Sequence, residues 1–426
     1  MKRMCSIKIR NSSSTGFLKN IGLRSLAMQM LFAIAAGIML GYTNPGLAVQ
    51  MKPLGEWFVS AVRVLVGPII FFTVTSALAA AGKVGHIGRL GIKALIYFEL
   101  TSTLALATGL FVAHVLQPGA NFHIDASVLT GSPGVNASTS LTTAPRTFIE
   151  TVTSVFMGSS ILQVLLLACV CGMALAVLKE RAASVIAGCD WIGQRLVKLV
   201  GMLMKLAPFA AFGAIAFTVG KYGVSSITPL ITLLTTLYAT TALFVLLALG
   251  AVARCAGFRI LPFIRYLKEE LLLVFGTSSS VTAMPRLIEK LEQAGCAGVV
   301  ARIAVPAGYS FNLNGSNIYL TMALVFLAQA LQIQLGLWDY ITILALAMVT
   351  SKGASGVAGS AFIALAATIV AVPAIPDSSL FLIVGIERLL KCRPLANVIG
   401  NGVACMAIAA WDGKLDRRAV HAHGLT

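Results

Sequence analysis

The sequence predicts an all-α membrane protein of eight transmembrane helices with two opposed re-entrant hairpins, and three observations carry that prediction. Of 426 residues, 58% are hydrophobic and 11% charged, with a mean hydropathy of +0.90, whereas soluble domains average roughly 25% charged. Apolar stretches recur along the chain at residues 25–42, 57–81, 90–116, 152–178, 193–220, 227–253, 299–332 and 379–410, most of them reaching the ~20 residues a spanning helix needs. Three polar, glycine-broken patches interrupt apolar surroundings in the last third: GTSSS at 276–280, YSFNLNGSN at 309–317 and SKGASGVAGS at 351–360. Irregular backbone survives at hydrocarbon depth only where protein buries it or where it lines a wet cavity, and successive broken segments point to a solute site near the midplane.

Basic residues assign the sides of the membrane. Lys2, Arg3, Lys8, Arg10, Lys19 and Arg24 precede the first span, and Lys83, Arg89 and Lys93 join the second to the third. Both ends are expected in the cytoplasm. Residues 117–144 hold a Gly/Pro/Ser/Thr-rich stretch without Lys or Arg before Ala144, read as an external loop. Arg254, Arg259, Arg265 and Lys268 precede the serine patch and Arg286, Lys290 and Arg302 follow it, so this segment is expected to enter from the cytoplasm and turn back. The stretches 331–339 and 371–379 contain no Lys or Arg, which makes the patch between them a second hairpin dipping from outside. Lys414, Arg417 and Arg418 after the last span keep the C-terminus inside, and the opposed hairpins have the look of an inverted repeat.

The net charge of +17 belongs to these span ends, and aromatic-interleaved basic patches for nucleic acid are absent. The eight cysteines form no CxxC pair and read as small buried hydrophobes. No cleavable signal is expected, because more spans follow the first apolar run. An intramembrane serine hydrolase is disfavoured: the five histidines lie at span edges, in loops or in the tail, and Lys268 and Lys290 flank the serine hairpin, so no general base reaches its tip.

Hairpin tips bring free helix N-termini to an anionic solute. Ser278, Ser279 and Ser280 add hydroxyls, and Gly353, Gly356 and Gly359 permit close backbone approach, although a plain tight turn accounts for any one of these residues alone. Arg393 is a costly cation at membrane depth; its partner is either a solute carboxylate, Glu387 or Glu99. Arg388 beside Glu387 reads as a structural ion pair. Asn312, Asn397 and Asn401 offer carbonyl oxygens to a small cation or hydrogen bonds between helices, the latter worth about 0.6 kcal/mol each. Thr101 and Ser102 are similar candidates, with helix packing as the plainer reading.

MKPLG at 51–55, YFE at 97–99, LAPFAAFGA at 206–214, IRY at 264–266, GTSSS at 276–280, GYSFNL at 308–313, SKGA at 351–354 and NVIGNGVA at 397–404 together resemble the aerobic C4-dicarboxylate transporters of the dicarboxylate/amino acid:cation symporter family, relatives of the glutamate transporters. The resemblance covers about residues 25–416. It implies uptake of succinate, fumarate and malate with protons or sodium, no cofactor, and a homotrimer in the inner membrane working by an elevator movement. The corresponding division is a cytoplasmic segment 1–24, mainly scaffold spans 25–260 with the third span joining the transport core, a transport core 261–411, and a cytoplasmic tail 412–426. Besides the dicarboxylate, membrane lipid and the other subunits, a two-component sensor kinase is a further partner suggested by an alternative role as a transport-impaired sensor.

Matched positions imply substrate contact by Ser278, Ser279, Ser280, Ser316, Gly353, Ala354, Ser355, Gly356, Val357, Gly359, Arg393 and Asn397, and cation contact by Thr101, Ser102, Asn312, Asn314 and Asn401. Amino-acid-carrying relatives hold the substrate amine with an Asp one turn before the matched Arg. Leu390 or Lys391 stands there in this chain, which favours a dicarboxylate over glutamate. Other departures are Val281 where the dicarboxylate branch usually has Glu, Asn314 where it has Asp, Glu387 for Asp, a last span one residue shorter before Arg393, and Pro394, which removes the helix bond to the Leu390 carbonyl. Energetics give these changes weight: carrying a dianion into a negative interior costs roughly 4.6 kcal/mol per 100 mV, so at least two cations must accompany it for neutrality.

Overall fold

The computed structural model describes residues 26–86, 89–122, 160–353, 359–372 and 375–426. The expected N-terminal segment, most of the external loop and the second hairpin's tip, with Ala354, Ser355, Gly356 and Val357, lie outside these residues. The described chain is helical and contains no strand; an isolated bridge joins Cys296 to Leu415. Helices α1 (Leu26–Thr43), α2 (Lys52–His86), α3 (Arg89–Leu116), α4 (Ser160–Leu178), α5 (Ala183–Leu203) and α6 (Ala207–Tyr222) come first. Helices α5 and α6 meet at a 53° bend. Helix α7 (Ile227–Phe244) runs through a π-helical turn, Val245–Leu249, into α8 (Gly250–Ala256). By length and composition, four helical segments among the described residues suffice to cross a membrane, or five with the bent pair counted as one.

The second half is more broken. Helices α9 (Ile260–Tyr266), α10 (Lys268–Thr277) and α11 (Met284–Gln293) form the first hairpin. Its two arms are tied at the base: Tyr266 Oη donates to the Lys290 carbonyl at 2.9 Å, and Lys290 Nζ pairs with Glu270 at 2.9 Å. The chain has therefore doubled back between 270 and 290. Helices α12 (Gly298–Phe311) and α13 (Asn314–Ala330) are one span interrupted at Asn312 and Leu313. Helices α14 (Leu337–Thr350) and α15 (Ser360–Ala371) form the second hairpin, joined by a 2.7 Å bond between the hydroxyls of Thr350 and Thr368. Helices α16 (Leu380–Val384) and α17 (Cys392–Trp411) follow, then a short α18 (Arg417–Ala422).

Helix α3 serves as a ruler for the placement of the hairpins. Near its start, Lys93 Nζ pairs with Asp412 at 2.7 Å and donates to the Trp411 carbonyl at 3.0 Å. Near its end, the Ala113 carbonyl accepts from Gln329 Nε2 at 2.8 Å, and His114 bonds Tyr340 Oη at 2.8 Å. Twenty or so intervening residues rise about 30 Å, the thickness of a bilayer core. The tail after Asp412 lies across both ends of the first hairpin: the Arg259 amide donates to Leu425 O at 2.7 Å, and the Asp416 amide to Gly295 O at 2.9 Å. The first hairpin's base thus sits at the Lys93 end, whereas the second hairpin begins at the opposite end beside His114. This is the opposed arrangement that the distribution of Lys and Arg predicts.

Helix α13 is buried along nearly its whole length, packed by α3, α17, α7 and α15, while Phe32, Val64, Val177 and Leu247 stand open on the outer helices. A helix buried on every side, apolar beyond its first turn apart from Thr321 and Gln329, suits a core position; the exposed residues suit contact with lipid.

Candidate substrate and cation site

The last span is expected to be one apolar segment over 379–410, but the structure breaks it. Helix α16 stops at Val384, a 3-10 turn covers Glu387–Leu389, Leu390 leaves the helical region at ψ 57°, and α17 starts at Cys392. Pro394 therefore stands in the first turn of a new helix, where its missing N–H costs nothing. The exposed backbone of the break is satisfied by side chains, as burial demands. Tyr238 Oη donates to Leu389 O at 2.7 Å and accepts from the Lys391 amide at 3.2 Å, while Arg393 Nε donates to Leu390 O at 3.3 Å.

Within this break, Arg393 finds Glu387. Its Nη2 lies 2.6 Å from Glu387 Oε1 and 3.2 Å from the Glu387 carbonyl, and its guanidinium stacks 4.2 Å from the centre of the Tyr319 ring. Tyr319 Oη donates to Glu387 Oε2 at 2.8 Å, closing a buried triad. Nη1 of Arg393 has no partner although it is buried. Of the partners left open by the sequence, Glu387 is the one engaged; Glu99 instead pairs with Lys352 at 2.8 Å. Arg388 does not form the ion pair expected of it and donates from Nη2 to the Met204 carbonyl at 3.2 Å, at the bend between α5 and α6.

The first hairpin reaches this region through its tip. Helix α10 ends with Ser278 in the left-handed conformation, φ 57°, and the Ser278 hydroxyl bonds the ammonium of Lys391. Ser279 and Ser280 follow, both buried. The second hairpin reaches the core through Lys352, whose Nζ donates to Phe311 O at 3.3 Å. Gly353 ends a 3-10 turn, and Gly359 has φ 92°, so a side chain there would be strained.

A second polar centre occupies the interruption between α12 and α13. Thr101 Oγ1 donates to Asn312 Oδ1 at 2.8 Å, and Ser102 Oγ to Phe311 O at 2.6 Å. Asn312 Nδ2 donates to Asn401 Oδ1 at 3.2 Å and to Gly400 O at 3.3 Å. Asn397 caps the start of α13, its Oδ1 accepting from the amides of Gly315 at 2.9 Å and Ser316 at 3.3 Å, and its Nδ2 donating to Ser316 Oγ at 3.0 Å. Close approach of the two helices requires glycine: a Cβ on Gly315 would lie 2.9 Å from the Ala396 Cβ, and one on Gly400 2.5 Å from Asn314 Nδ2. Asn314 is fully buried, and neither end of its amide has a partner. An orphaned buried amide calls for an explanation, and a cation ligated by Oδ1 supplies one. The amide, hydroxyl and carbonyl oxygens gathered here fit a small hard cation.

A model of the sodium:dicarboxylate symporter family matches residues 26–411. The chain belongs to that family. C4-dicarboxylate transport proteins of Burkholderia thailandensis, Burkholderia pseudomallei and Burkholderia mallei are each 48% identical to it over 404 residues, covering 93% of this chain and 94% of the relative. Like them, this symporter-family member is a transport protein rather than an enzyme.

Of the positions anticipated in this family member, the structure brings Thr101, Ser102, Asn312 and Asn401 into one cluster, with Asn314 at its edge against Gly400. At the break in the last span Ser278 meets Lys391, and Arg393 pairs with Glu387. Asn397 and Ser316 bond each other, and Asn397 also bonds the backbone of α13. Lys352 and Tyr238 carry no expectation from the sequence, Glu99 enters there only as a possible partner of Arg393 and Lys391 only as a departure from the amine-binding Asp, yet each bonds across elements here. The signal available for the two lysines was an ammonium at membrane depth, the same signal that drew notice to Arg393.

Proposed function

We propose that this chain imports C4-dicarboxylates such as succinate, fumarate and malate across the inner membrane, coupled to an inward flow of protons or sodium ions. The observation that carries the reading is the buried Arg393 guanidinium: Glu387 and backbone carbonyls hold two of its nitrogens, and Nη1 is left for a carboxylate. A charge-assisted hydrogen bond from a guanidinium nitrogen to a carboxylate is strong, and exclusion of water strengthens it further. The name of the Burkholderia relatives, C4-dicarboxylate transport protein, agrees with this substrate class. Ser278 to Ser280 and the second hairpin, Gly353 to Gly359, are the segments we assign to close over the bound acid.

The companion cation is assigned to Thr101, Ser102, Asn312, Asn314 and Asn401. All five present neutral oxygens and none titrates near neutrality, so this cluster suits sodium better than a proton. The protein reads as eight spans with two hairpins, in which 261–411 and the third span move as a transport core against the remaining scaffold spans of 25–260. Packing supports that division, since α3 lies along α12, α13 and α17, while α1 packs on α6 and α2 on α4 and α5. A homotrimer is part of the same reading. No observation favours the alternative of a transport-impaired sensor or its kinase partner.

Uptake of radiolabelled succinate into vesicles carrying the full chain tests the proposal. Uptake driven by an imposed sodium gradient and unaffected by a protonophore supports sodium coupling. Collapse by the protonophore, with no sodium requirement, reassigns the coupling to protons. Failure to take up any C4 acid despite correct insertion overturns the function.

A further inference from the structure

Interior cations of this protein mostly have carboxylates. Lys93 has Asp412, Lys290 has Glu270, Lys352 has Glu99 and Arg393 has Glu387. Lys391 differs. It stands immediately before α17, partly buried, with its ammonium on the neutral hydroxyl of Ser278 and 5.9 Å from the centre of the Phe275 ring. Among the described residues no carboxylate pairs with it. The charged neighbours on its own segment are Arg388, Glu387 and Arg393; the carboxylate is taken by Arg393, and Arg388 is turned to the Met204 carbonyl.

A cation withdrawn from water without a counter-charge is costly unless an anion arrives to compensate it. An ammonium carries three donors, and Ser278 uses one. Two residues further on, Arg393 leaves its own Nη1 unused. Lys391 is the N-cap and Arg393 stands in the first turn of α17, a 20-residue helix that adds the positive end of its dipole. We propose that Lys391 is a substrate-binding residue, the partner of the second carboxylate, so that the site grips a dicarboxylate at both ends through Arg393 and Lys391. This rests on the dicarboxylate reading and adds a specificity rule to it: the site selects dianions over monoanions of the same length. Ser278, at the hairpin's tip, then holds the ammonium in place before the acid arrives.

The test compares succinate with its monoamide, succinamate, in binding titrations on the purified full-length protein. The unsubstituted protein is expected to prefer succinate. Lys391→Gln is expected to lower succinate affinity about ten- to a hundredfold, the worth of one hydrogen bond to a charged group, while leaving succinamate little changed, so that the preference shrinks. Lys391→Arg, which keeps the charge, is expected to keep the preference and guards against misfolding of the first variant. Equal losses for both ligands in Lys391→Gln would mean that the lysine only latches the hairpin, and would overturn the inference, as would an unchanged preference. Absence of succinate binding by the unsubstituted protein would overturn the dicarboxylate reading itself, an outcome distinct from either.

Discussion

The two polar centres of the core are built in opposite ways from the same device, a span interrupted in mid-course. At the α12–α13 interruption the side chains are neutral amides and hydroxyls apart from Lys352, whose ammonium on the Phe311 carbonyl is balanced by Glu99, and one amide, Asn314, is left without partners. At the α16–α17 interruption the side chains are charged, and the fixed cations Arg388, Lys391 and Arg393 outnumber the single carboxylate Glu387. An unwound segment supplies carbonyl oxygens to a cation and helix N-termini to an anion. Side chains decide which of these each break serves. On our proposal the first centre takes a positive guest without net charge of its own, and the second leaves room for a negative one.

Breaking the charged centre is expected to have the largest effect. Arg393→Ala removes the guanidinium and strands Glu387 in the interior, a loss of about 3–5 kcal/mol for a buried pair broken on one side. Succinate uptake should fall below detection and thermal stability in detergent should drop. Pairing Arg393→Met with Glu387→Gln should restore much of the stability without restoring uptake. If the double variant transports, Arg393 is not the anion's partner.

Within the neutral centre, two asparagines separate structure from binding. Asn397→Ala deletes three hydrogen bonds that cap α13, each worth about 1 kcal/mol net, and should lower stability measurably in a thermal melt. Asn314→Ala deletes none and should barely move the melt, yet weaken the response of transport to the coupling cation. Asn314→Asp supplies a fixed negative charge and should lower the half-saturating cation concentration on the order of tenfold, because ligand charge tunes cation affinity. An Asn314→Asp variant with unaltered cation dependence would remove this residue from the ion site.

Much of this architecture was legible from the chain because charge is expensive in lipid: the runs around Arg265, Arg286 and Lys414 identified one end of the molecule, and α3 now measures the distance to the other. Pairings were less legible. Glu387 and Arg393 are six residues apart, about 240° around a continuous helix, so they cannot meet unless the helix is interrupted between them. Glu387, Arg388, Lys391 and Arg393 make a polar dip between the apolar stretches 379–384 and 395–399, but a dip in hydropathy does not say whether the helix continues through it. Nor does sequence spacing reveal that Tyr238, some 150 positions away, satisfies the opened backbone. The docking of the tail onto Arg259 and Gly295 was hidden for another reason, because its contacts are largely backbone bonds that leave little side-chain signature.

The smallest effect is expected at the edge of the charged framework, where α3 meets the end of α17. The Lys414 and Lys93 ammonium groups hold the Asp412 carboxyl down to about 2, against about 3.9 in an unfolded chain. A carboxyl depressed by folding stabilises the protein above the unfolded value, and that contribution is lost as pH falls through the folded one. Melting temperature should therefore decline between about pH 4 and pH 2, and Asp412→Asn should flatten that part of the profile while leaving the anion site untouched. Because the carboxylate is bonded by lysines at the water boundary, added salt should weaken the effect. Succinate affinity that followed Asp412 as strongly as stability does would tie the helix end to the binding site and erase the separation between framework and pocket.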